Sequence, residues 1–105
     1  MGQKEKNMLP SQVLHERRAD ILNVMKRYPM FGNLRVVGSV ARGEDAEGSD
    51  IDFLVDPLPD ATLFHLGGLY EDLQEFLGVS VDILTTGGEM NDYMKMTITR
   101  DAVPL

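Results

Sequence analysis

The chain of 105 residues contains no cysteine, which excludes a disulfide framework and a metal site built from thiolates. No apolar run approaches the ~20 residues that a membrane-spanning helix needs, and no stretch resembles a signal peptide, so we expect a cytoplasmic protein without a membrane segment. Basic residues are scarce, with 10 Lys and Arg against 17 Asp and Glu, a formal net charge of −7. Because nonspecific nucleic-acid binding needs clustered Lys and Arg, we expect no large nucleic-acid footprint.

The length of the chain fits one domain with one modest core. Its first seven residues are polar or charged and show no apolar period, so we predict a disordered tail at residues 1–8 and a single domain over residues 9–105. Apolar periodicity and the Gly and Pro positions predict the order helix, strand, strand, helix, strand, helix. The predicted bounds are Pro10–Tyr28, Leu34–Val37, Ser49–Val55, Leu63–Leu77, Val79–Leu84 and Asn91–Met96, with a turn over Phe31–Asn33, a helix break at Gly67–Gly68 and a partly ordered end over Thr97–Leu105.

Two aspartates, Asp50 and Asp52, fall in the second predicted strand. Side chains alternate between the faces of a strand, so both carboxylates are expected on one face, with Ile51 and Phe53 on the other. Their Cα atoms would lie roughly 6.6 Å apart, from a rise of about 3.3 Å per residue, and could converge on a divalent cation. Asp is depleted in strands, so a merely polar strand edge is the weaker interpretation.

A glycine-serine pair, Gly38-Ser39, interrupts the apolar run of the first predicted strand. Such a turn presents backbone N–H groups to an anion, glycine lets the backbone approach a phosphate, and serine adds a hydroxyl. Arg42 could contact the same phosphate or pair with a nearby acid, Glu44 or Asp45. A turn of this kind followed by a carboxylate pair predicts phosphoryl or nucleotidyl transfer.

These residues resemble the signature of the DNA polymerase β-like nucleotidyltransferases, in which glycine-serine is followed by aspartate-x-aspartate. The segments that carry the resemblance are GSVARG at residues 38–43 and SDID at residues 49–52. The alanine-arginine-glycine after the serine and the short chain narrow the resemblance to the minimal nucleotidyltransferase (MNT) proteins, and it covers nearly the whole chain after Met8. It implies an α+β fold, an α/β sandwich in which helices pack on one face of a small mixed β-sheet.

The resemblance also implies the residues of the active site. Asp82, on the third predicted strand, would otherwise be interpreted as a charged edge position, but it matches the third carboxylate of the family. The three carboxylates can converge only if the third strand pairs beside the second. Oxygen ligands favour Mg²⁺ or Mn²⁺, and we expect two such ions with ATP as the substrate. The implied catalytic and metal-binding residues are Asp50, Asp52 and Asp82, and the implied nucleotide-binding residues are Gly38, Ser39, Arg42 and Ser49.

The acceptor of the nucleotide is not encoded in any motif. No additional substrate domain is expected in so short a chain, so acceptor specificity would come from another protein. The resemblance to MNT proteins implies a HEPN-family RNase toxin as partner, with AMP transferred to one of its tyrosine hydroxyls and this chain acting as antitoxin. Two alternatives stay open, namely an antitoxin that neutralises the toxin by binding alone, and a small-molecule transferase acting on an aminoglycoside-like hydroxyl.

Overall fold

The computed structural model describes residues 8–87 and 92–105, so residues 1–7 of the predicted tail at 1–8 and the predicted helix start at Asn91 lie outside the described residues. Within the described residues, four strands form one mixed sheet beside five helices, which confirms the predicted α+β class. The elements are α1 (Pro10–Glu16), α2 (Arg18–Met25), β1 (Phe31–Val37), α3 (Gly38–Arg42), β2 (Ile51–Pro57), α4 (Leu63–Leu77), β3 (Val81–Thr85), α5 (Asp92–Asp101) and β4 (Val103–Pro104).

The sheet has the strand order β3-β2-β1-β4. β1 is antiparallel to β2 and to β4, whereas β2 and β3 are parallel. Parallel neighbours need a crossover connection, and α4 provides it between β2 and β3. The third predicted strand therefore pairs beside the second, which is the condition under which the three aspartates can meet.

The core lies between one face of the sheet and two helices. Val36, Phe53 and Ile83 lie side by side across β1, β2 and β3, and all three are buried. The buried side chains of the two helices pack into the same cluster; they are Ile21 and Val24 of α2 and Leu69, Leu73 and Leu77 of α4. No helix within residues 8–87 and 92–105 is long and apolar enough to cross a membrane.

The first predicted helix is divided into α1 and α2 by a turn at Arg17, whose backbone angles are φ −102° and ψ 14°. No Gly or Pro marks this position.

The start of α1 is held by a residue far along the chain, because the N–H group of Ser11 donates to the carboxylate of Asp45 at 2.8 Å. A long-range contact of this kind leaves no local signal in the sequence.

The predicted turn at Phe31–Asn33 is wrong, because these residues begin β1. The pairing with β2 is irregular between Gly32 and Arg35, and Asn33 has a φ of +55°. The irregularity is a bulge, and the turn-like residues were its signal. The neighbouring Arg35 pairs with Asp56 across the two strands.

The predicted break at Gly67–Gly68 is also wrong, since α4 runs without interruption from Leu63 to Leu77. Thr62 caps its first turn by accepting from the N–H of His65 at 3.2 Å, and Gly78 ends it in the left-handed conformation. A Cβ atom at Gly68 would lie 2.8 Å from the Tyr28 hydroxyl oxygen. Gly68 is therefore present because α4 and this tyrosine approach each other closely.

The end of the chain is more ordered than predicted. α5 extends to Asp101, and β4 follows and pairs with β1 through Arg35–Pro104 and Val36–Val103. The prediction of a partly ordered end over Thr97–Leu105 is therefore wrong. The local sequence of a two-residue strand carries too few residues for a period to appear, so only the partner strand defines it.

The two glycines of α4 give a matched pair of tests. A Cβ atom at Gly67 would meet nothing within 4 Å, so we expect Gly67→Ala to raise the free energy of unfolding by up to about 1 kcal/mol through helix propensity. Gly68→Ala would crowd a tyrosine hydroxyl that is held by Asp72 at 2.7 Å, so we expect it to be less stable than Gly67→Ala by roughly 1–3 kcal/mol. Urea denaturation measures both values.

Tyr28→Phe provides the control for this interpretation, because it removes the crowded oxygen. We expect Gly68→Ala to cost less in the Tyr28→Phe background than in the wild type. Equal costs in the two backgrounds would contradict the close approach as the reason for Gly68.

Candidate active site

The end of β1 brings the glycine-serine pair against β2. Val37 pairs with Asp52, and the next residue, Gly38, starts α3 with a φ of +75°. A Cβ atom at Gly38 would lie 2.5 Å from the Asp52 carboxylate oxygen Oδ2. Gly38 is required both by its backbone conformation and by the carboxylate that occupies the side-chain position. Ser39 follows in the first turn of α3 and is half-buried.

The three predicted carboxylates are arranged differently from the simple alternation expected along a strand. Asp50 precedes β2, which begins at Ile51, so the expectation that Asp50 lies within the strand is wrong. Parallel pairing with β3 starts at that point, where the Ile51 N–H donates to the Ser80 carbonyl at 3.0 Å. Asp52 is paired directly with Asp82 in the register of β2 and β3, so these two side chains share one face of the sheet.

The electrostatics of the site follow from this arrangement. Burial raises the pKa of Asp52, and the negative charges of Asp82 and Asp50 raise it further, against a smaller lowering by Arg42. Asp82 and Asp50 are exposed, whereas Asp52 is half-buried. The ionised form of Asp52 is therefore disfavoured by its surroundings, and a bound cation would offset this cost.

These carboxylates do not form a complete metal cage. Within the described residues, no group of three or more His, Cys, Asp or Glu side chains is arranged to hold a metal ion by itself. The donor chemistry nevertheless fits Mg²⁺, because this ion is usually bound through one or two carboxylates together with water and substrate phosphates. The negative charges crowded around Asp52 fit a site in which the nucleotide supplies the remaining ligands of the ion.

Arg42 is exposed at the end of α3 and pairs with two acids. Its Nε atom donates to Glu44 at 2.9 Å and its NH1 atom donates to Asp101 at 3.1 Å. The sequence left open whether Arg42 meets phosphate or a nearby acid, and in this structure it meets Glu44 and the unforeseen Asp101. The second contact ties α3 to the end of α5, and the Asp101 side chain is only 13% exposed.

Ser49 closes the loop that precedes the carboxylates. Its hydroxyl oxygen accepts from the Ala46 N–H at 3.0 Å, and its own N–H donates to the Ala46 carbonyl at 3.0 Å. Ser49 also lines a cavity of about 390 Å³, together with Met8, Pro10, Glu47, Gly48, Val79 and Ser80. The three predicted carboxylates do not line this cavity, and the two bonds of Ser49 stay within its own loop.

One residue near the site had no signal in the sequence. Tyr70 lies on α4, and burial and the negative charges of Asp82, Asp50 and Asp52 raise its pKa. Its spacing along the helix is that of the apolar residues Leu66, Leu69 and Leu73, so nothing in the sequence marks it as a site residue. Only the position of α4 beside β3 brings Tyr70 within reach of these charges.

Comparison with known proteins identifies the family to which the chain belongs. The family model described as "Nucleotidyltransferase domain" matches residues 19–105. A Methanocaldococcus jannaschii protein named "Putative protein adenylyltransferase MJ1217" is 34% identical over 80 residues, which cover 76% of this chain and 82% of that protein. A solved structure described as a "putative minimal nucleotidyltransferase" superposes with a TM-score of 0.78 at 37% identity, covering 90% of this chain and 95% of the other.

A more distant structural match shares the fold. A chain in the complex described as tri-AMPylated Shewanella oneidensis HEPN toxin with MNT antitoxin has a TM-score of 0.64 at 14% identity. The match covers 86% of this chain and 69% of the other. Together with the sequence matches over most of its length, these findings confirm the resemblance found in the motifs: the chain belongs to the nucleotidyltransferase family and has the minimal nucleotidyltransferase fold.

Proposed function

We propose that this chain transfers AMP from ATP to a tyrosine hydroxyl of a HEPN-family toxin and thereby acts as its antitoxin. The observation that carries the proposal is the register that pairs Asp52 with Asp82 beside the backbone of Gly38. This register supports a reaction at a phosphate held between a glycine-serine turn and a carboxylate cluster. Because the reaction uses ATP, we place the protein in the cytoplasm.

Asp50 and Asp52 would hold one Mg²⁺ or Mn²⁺ ion together with the triphosphate, and Asp82 would complete a second ion site with them. Bound ions of this kind stabilise the charge on the entering and leaving oxygens of an in-line displacement. The raised pKa of Asp52 supports the assignment. Crowded carboxylates are favourable only where cations balance them.

The phosphates would be bound from α3 and from the loop. The backbone N–H and the hydroxyl of Ser39 would donate to β- and γ-phosphate oxygens, beside a glycine that adds no side chain. The bond at Ser49 uses its oxygen as an acceptor, so its proton can still be donated to a phosphate. Arg42 would reach a phosphate by exchanging the exposed one of its two carboxylate partners, Glu44, for the ligand.

The chemical step is attack of the acceptor hydroxyl on the α-phosphorus of ATP. A new bond forms between the acceptor oxygen and phosphorus, the bond between the α-phosphorus and its bridging oxygen breaks, and pyrophosphate leaves. Asp82 is the group proposed to take the proton of the acceptor hydroxyl, since it is the exposed carboxylate on the outermost described strand. A positioned base contributes on the order of 10²–10⁴-fold to such a step.

The nature of the acceptor is supported by the relatives. The Methanocaldococcus jannaschii relative is named a protein adenylyltransferase, so a protein hydroxyl is the acceptor class that sequence similarity favours. The Shewanella oneidensis complex joins an MNT antitoxin to a HEPN toxin that carries AMP. A toxin of this family is therefore the partner that we propose, with tyrosine as its modified residue.

The first expectation is that Asp52→Asn stabilises the ligand-free protein but removes its stabilisation by Mg-ATP. Because its pKa is raised in the folded state, the free energy of unfolding of the ligand-free protein increases as the pH falls through that pKa. Asp52→Asn should therefore be more stable than the wild type at neutral pH, and the difference should close at acidic pH. With Mg-ATP at 100 times its Kd, the wild type should gain about 2.7 kcal/mol, which Asp52→Asn should lose. Thermal unfolding measures both effects.

Asp56→Asn is the matched control, since Asp56 lies on the same strand. Although burial raises its pKa, hydrogen bonds from Thr86, Asn33 and Arg35 lower it overall. We expect Asp56→Asn to destabilise the ligand-free protein at neutral pH but to keep the stabilisation by Mg-ATP. A full Mg-ATP effect in Asp52→Asn would contradict the assignment of this carboxylate to the metal and nucleotide.

The second expectation separates backbone strain from the phosphate site. Gly38 and Gly43 have nearly equal angles, with φ at +75° and +72°, but a Cβ atom meets Asp52 only at Gly38. Alanine should strain the backbone at either position by roughly 1–2 kcal/mol. Only Gly38→Ala should also displace the Asp52 carboxylate and abolish Mg-ATP binding. Isothermal titration calorimetry measures Mg-ATP binding by both variants. Loss of binding in both would show that backbone strain in α3, and not the contact with Asp52, is the cause.

The third expectation separates catalysis from neutralisation by binding. A catalytic antitoxin silences a molar excess of HEPN toxin and leaves AMP on it, whereas a binding antitoxin needs one molecule for each toxin. Asp82→Asn should bind the toxin and Mg-ATP but should slow the modification by on the order of 10²–10⁴-fold. Intact mass spectrometry of the toxin and its residual RNase activity measure both properties. Wild-type neutralisation at equal stoichiometry without an adduct would favour the binding mode.

A further inference from the structure

The first turn of α4 presents two large apolar side chains to solvent. Leu63 is 84% exposed and Phe64 is 93% exposed, and neither belongs to the core cluster or to the partly buried residues packed against it. The turn that carries them is firmly held, because Thr62 and His65 each accept from the backbone N–H of the other, at 3.2 Å and 3.1 Å. Single exposed apolar residues are common on protein surfaces, but adjacent ones on a capped helix are typical of an interaction surface.

Gly67 lies one turn further along the same face of α4. Residues three and four apart are neighbours on a helix, so Gly67 follows both Phe64 and Leu63. It is exposed, and a Cβ atom there would meet nothing within 4 Å. The fold does not require this glycine, although glycine weakens a helix relative to alanine. We call Leu63, Phe64 and Gly67 the α4 patch, in which a glycine leaves a shallow depression beside two apolar side chains.

The α4 patch lies in an acidic half of the chain. Residues 43–94 contain thirteen of the 17 Asp and Glu residues and none of the 10 Lys and Arg residues. Asp60 precedes the patch, Glu71 and Glu75 follow it along α4, and all three are exposed. Helical spacing places Glu71 on the same face as Phe64. An apolar centre with an acidic rim is complementary to a surface on which Lys and Arg surround an apolar side chain.

A second copy of this chain does not have that complementary surface. It would bring the same acidic residues against each other, and like charges across an interface oppose association. The patch is also only part of a contact, because a phenylalanine side chain buries about 150–250 Å², whereas a stable interface takes about 800 Å² from each partner. The partner of the patch must therefore touch a further part of the chain.

The proposed function supplies such a partner. A toxin that cuts RNA carries the Lys and Arg residues that contacts with phosphates need, and it must also bring a tyrosine to Asp82. The helix between Phe64 and Leu77 is about 20 Å long, from a rise of about 1.5 Å per residue. Asp82 lies on β3, the outermost described strand next to β2. A protein of ordinary domain size that lies across this edge therefore reaches both the patch and Asp82.

We propose that the α4 patch is the docking surface for the toxin, which presents to it an apolar side chain surrounded by Lys and Arg. The inference rests on the proposed function and names the surface that delivers the acceptor to the active site. Docking holds the toxin while its tyrosine reaches Asp82, so different residues carry binding and chemistry. Loss of the patch should then raise the KM for the toxin and leave kcat unchanged.

The first test replaces the apolar anchor of the patch. Phe64→Ser should weaken binding of the HEPN toxin, measured by biolayer interferometry, by on the order of 10–100-fold, as for other aromatic anchors. Phe64→Leu is the matched control, since it keeps an apolar side chain and should bind nearly as tightly as the wild type. Because Phe64 is 93% exposed, neither variant should change thermal unfolding or the stabilisation by Mg-ATP. Wild-type affinity in Phe64→Ser would overturn the proposal.

Gly67→Gln separates docking from an effect on the fold, because its two expected effects have opposite signs. Glutamine is a good helix former, so the free energy of unfolding should rise. The glutamine side chain would fill the depression in the patch, so toxin binding should weaken. A variant that is more stable but binds more weakly has not lost affinity through local unfolding. Unchanged toxin binding would contradict a close approach of the partner to this turn.

The charge of the rim is tested by Glu71→Lys. This variant should slow association with the toxin and reduce the dependence of the rate on salt. Glu16→Lys is the matched control, because Glu16 lines a cavity with Leu77 and Gly78 at the other end of α4. It changes the net charge equally and should have a much smaller effect. Equal effects of the two variants would overturn the assignment of a basic partner surface to the patch.

The remaining outcomes separate this inference from its alternatives. Analytical ultracentrifugation of the chain alone should show a monomer, and a dimer that Phe64→Ser dissociates would assign the patch to a second copy instead. AMP transfer with the same KM for wild type and Phe64→Ser would make the docking surface wrong while the proposed function stands. Toxin binding that depends on Phe64 but leaves no AMP on the toxin would give the opposite result. Absence of toxin binding by the wild type would overturn the docking surface outright.

Discussion

The contact between the Asp52 carboxylate and the backbone of Gly38 is the constraint on which the site depends. The carboxylate occupies the position where any other residue would place its Cβ atom, at 2.5 Å from it. Asp52 in turn pairs with Val37 on one side and with Asp82 on the other. The positions of the turn, the central carboxylate and the outer carboxylate are thereby fixed by one row of the sheet, and a shift of one residue in register would turn Asp52 toward the core.

The same row carries an electrostatic cost that the hydrophobic face offsets. Asp52 is half-buried beside two like charges, which disfavours its ionised form. On the opposite face of β2, Ile51, Phe53 and Val55 are completely buried. Alternation along one strand therefore places these core residues on one face, whereas Asp52 and Asp56 share the other face with the buried Leu54. Burial on the core face stabilises the fold, so the protein tolerates the unfavourable charge of Asp52 on the other face until a ligand binds.

The parts of the sheet and of the site that local patterns determine could be predicted from the sequence. Alternation located β2 and β3, and the end of α4 at Gly78 needed only a local helix stop. The errors arose where a distant residue decides the outcome. Contact with Tyr28 explains the glycine at position 68 within α4, and β1 defines a terminal strand too short to show a period. Asp101 and Tyr70 belong to no motif, since only the fold brings Asp101 to Arg42 and Tyr70 under the influence of the charge of Asp82.

The described sheet ends in two edges that differ in how they resist further strand addition. β4 has only two residues, and Pro104 has no N–H group to offer to an incoming strand. At the other edge, β3 is five residues long and carries the exposed Asp82. A charge on a short edge strand discourages pairing with other chains. The carboxylate assigned to chemistry therefore also helps to keep this small sheet from aggregating, and selection for solubility alone would favour an acidic residue at this position.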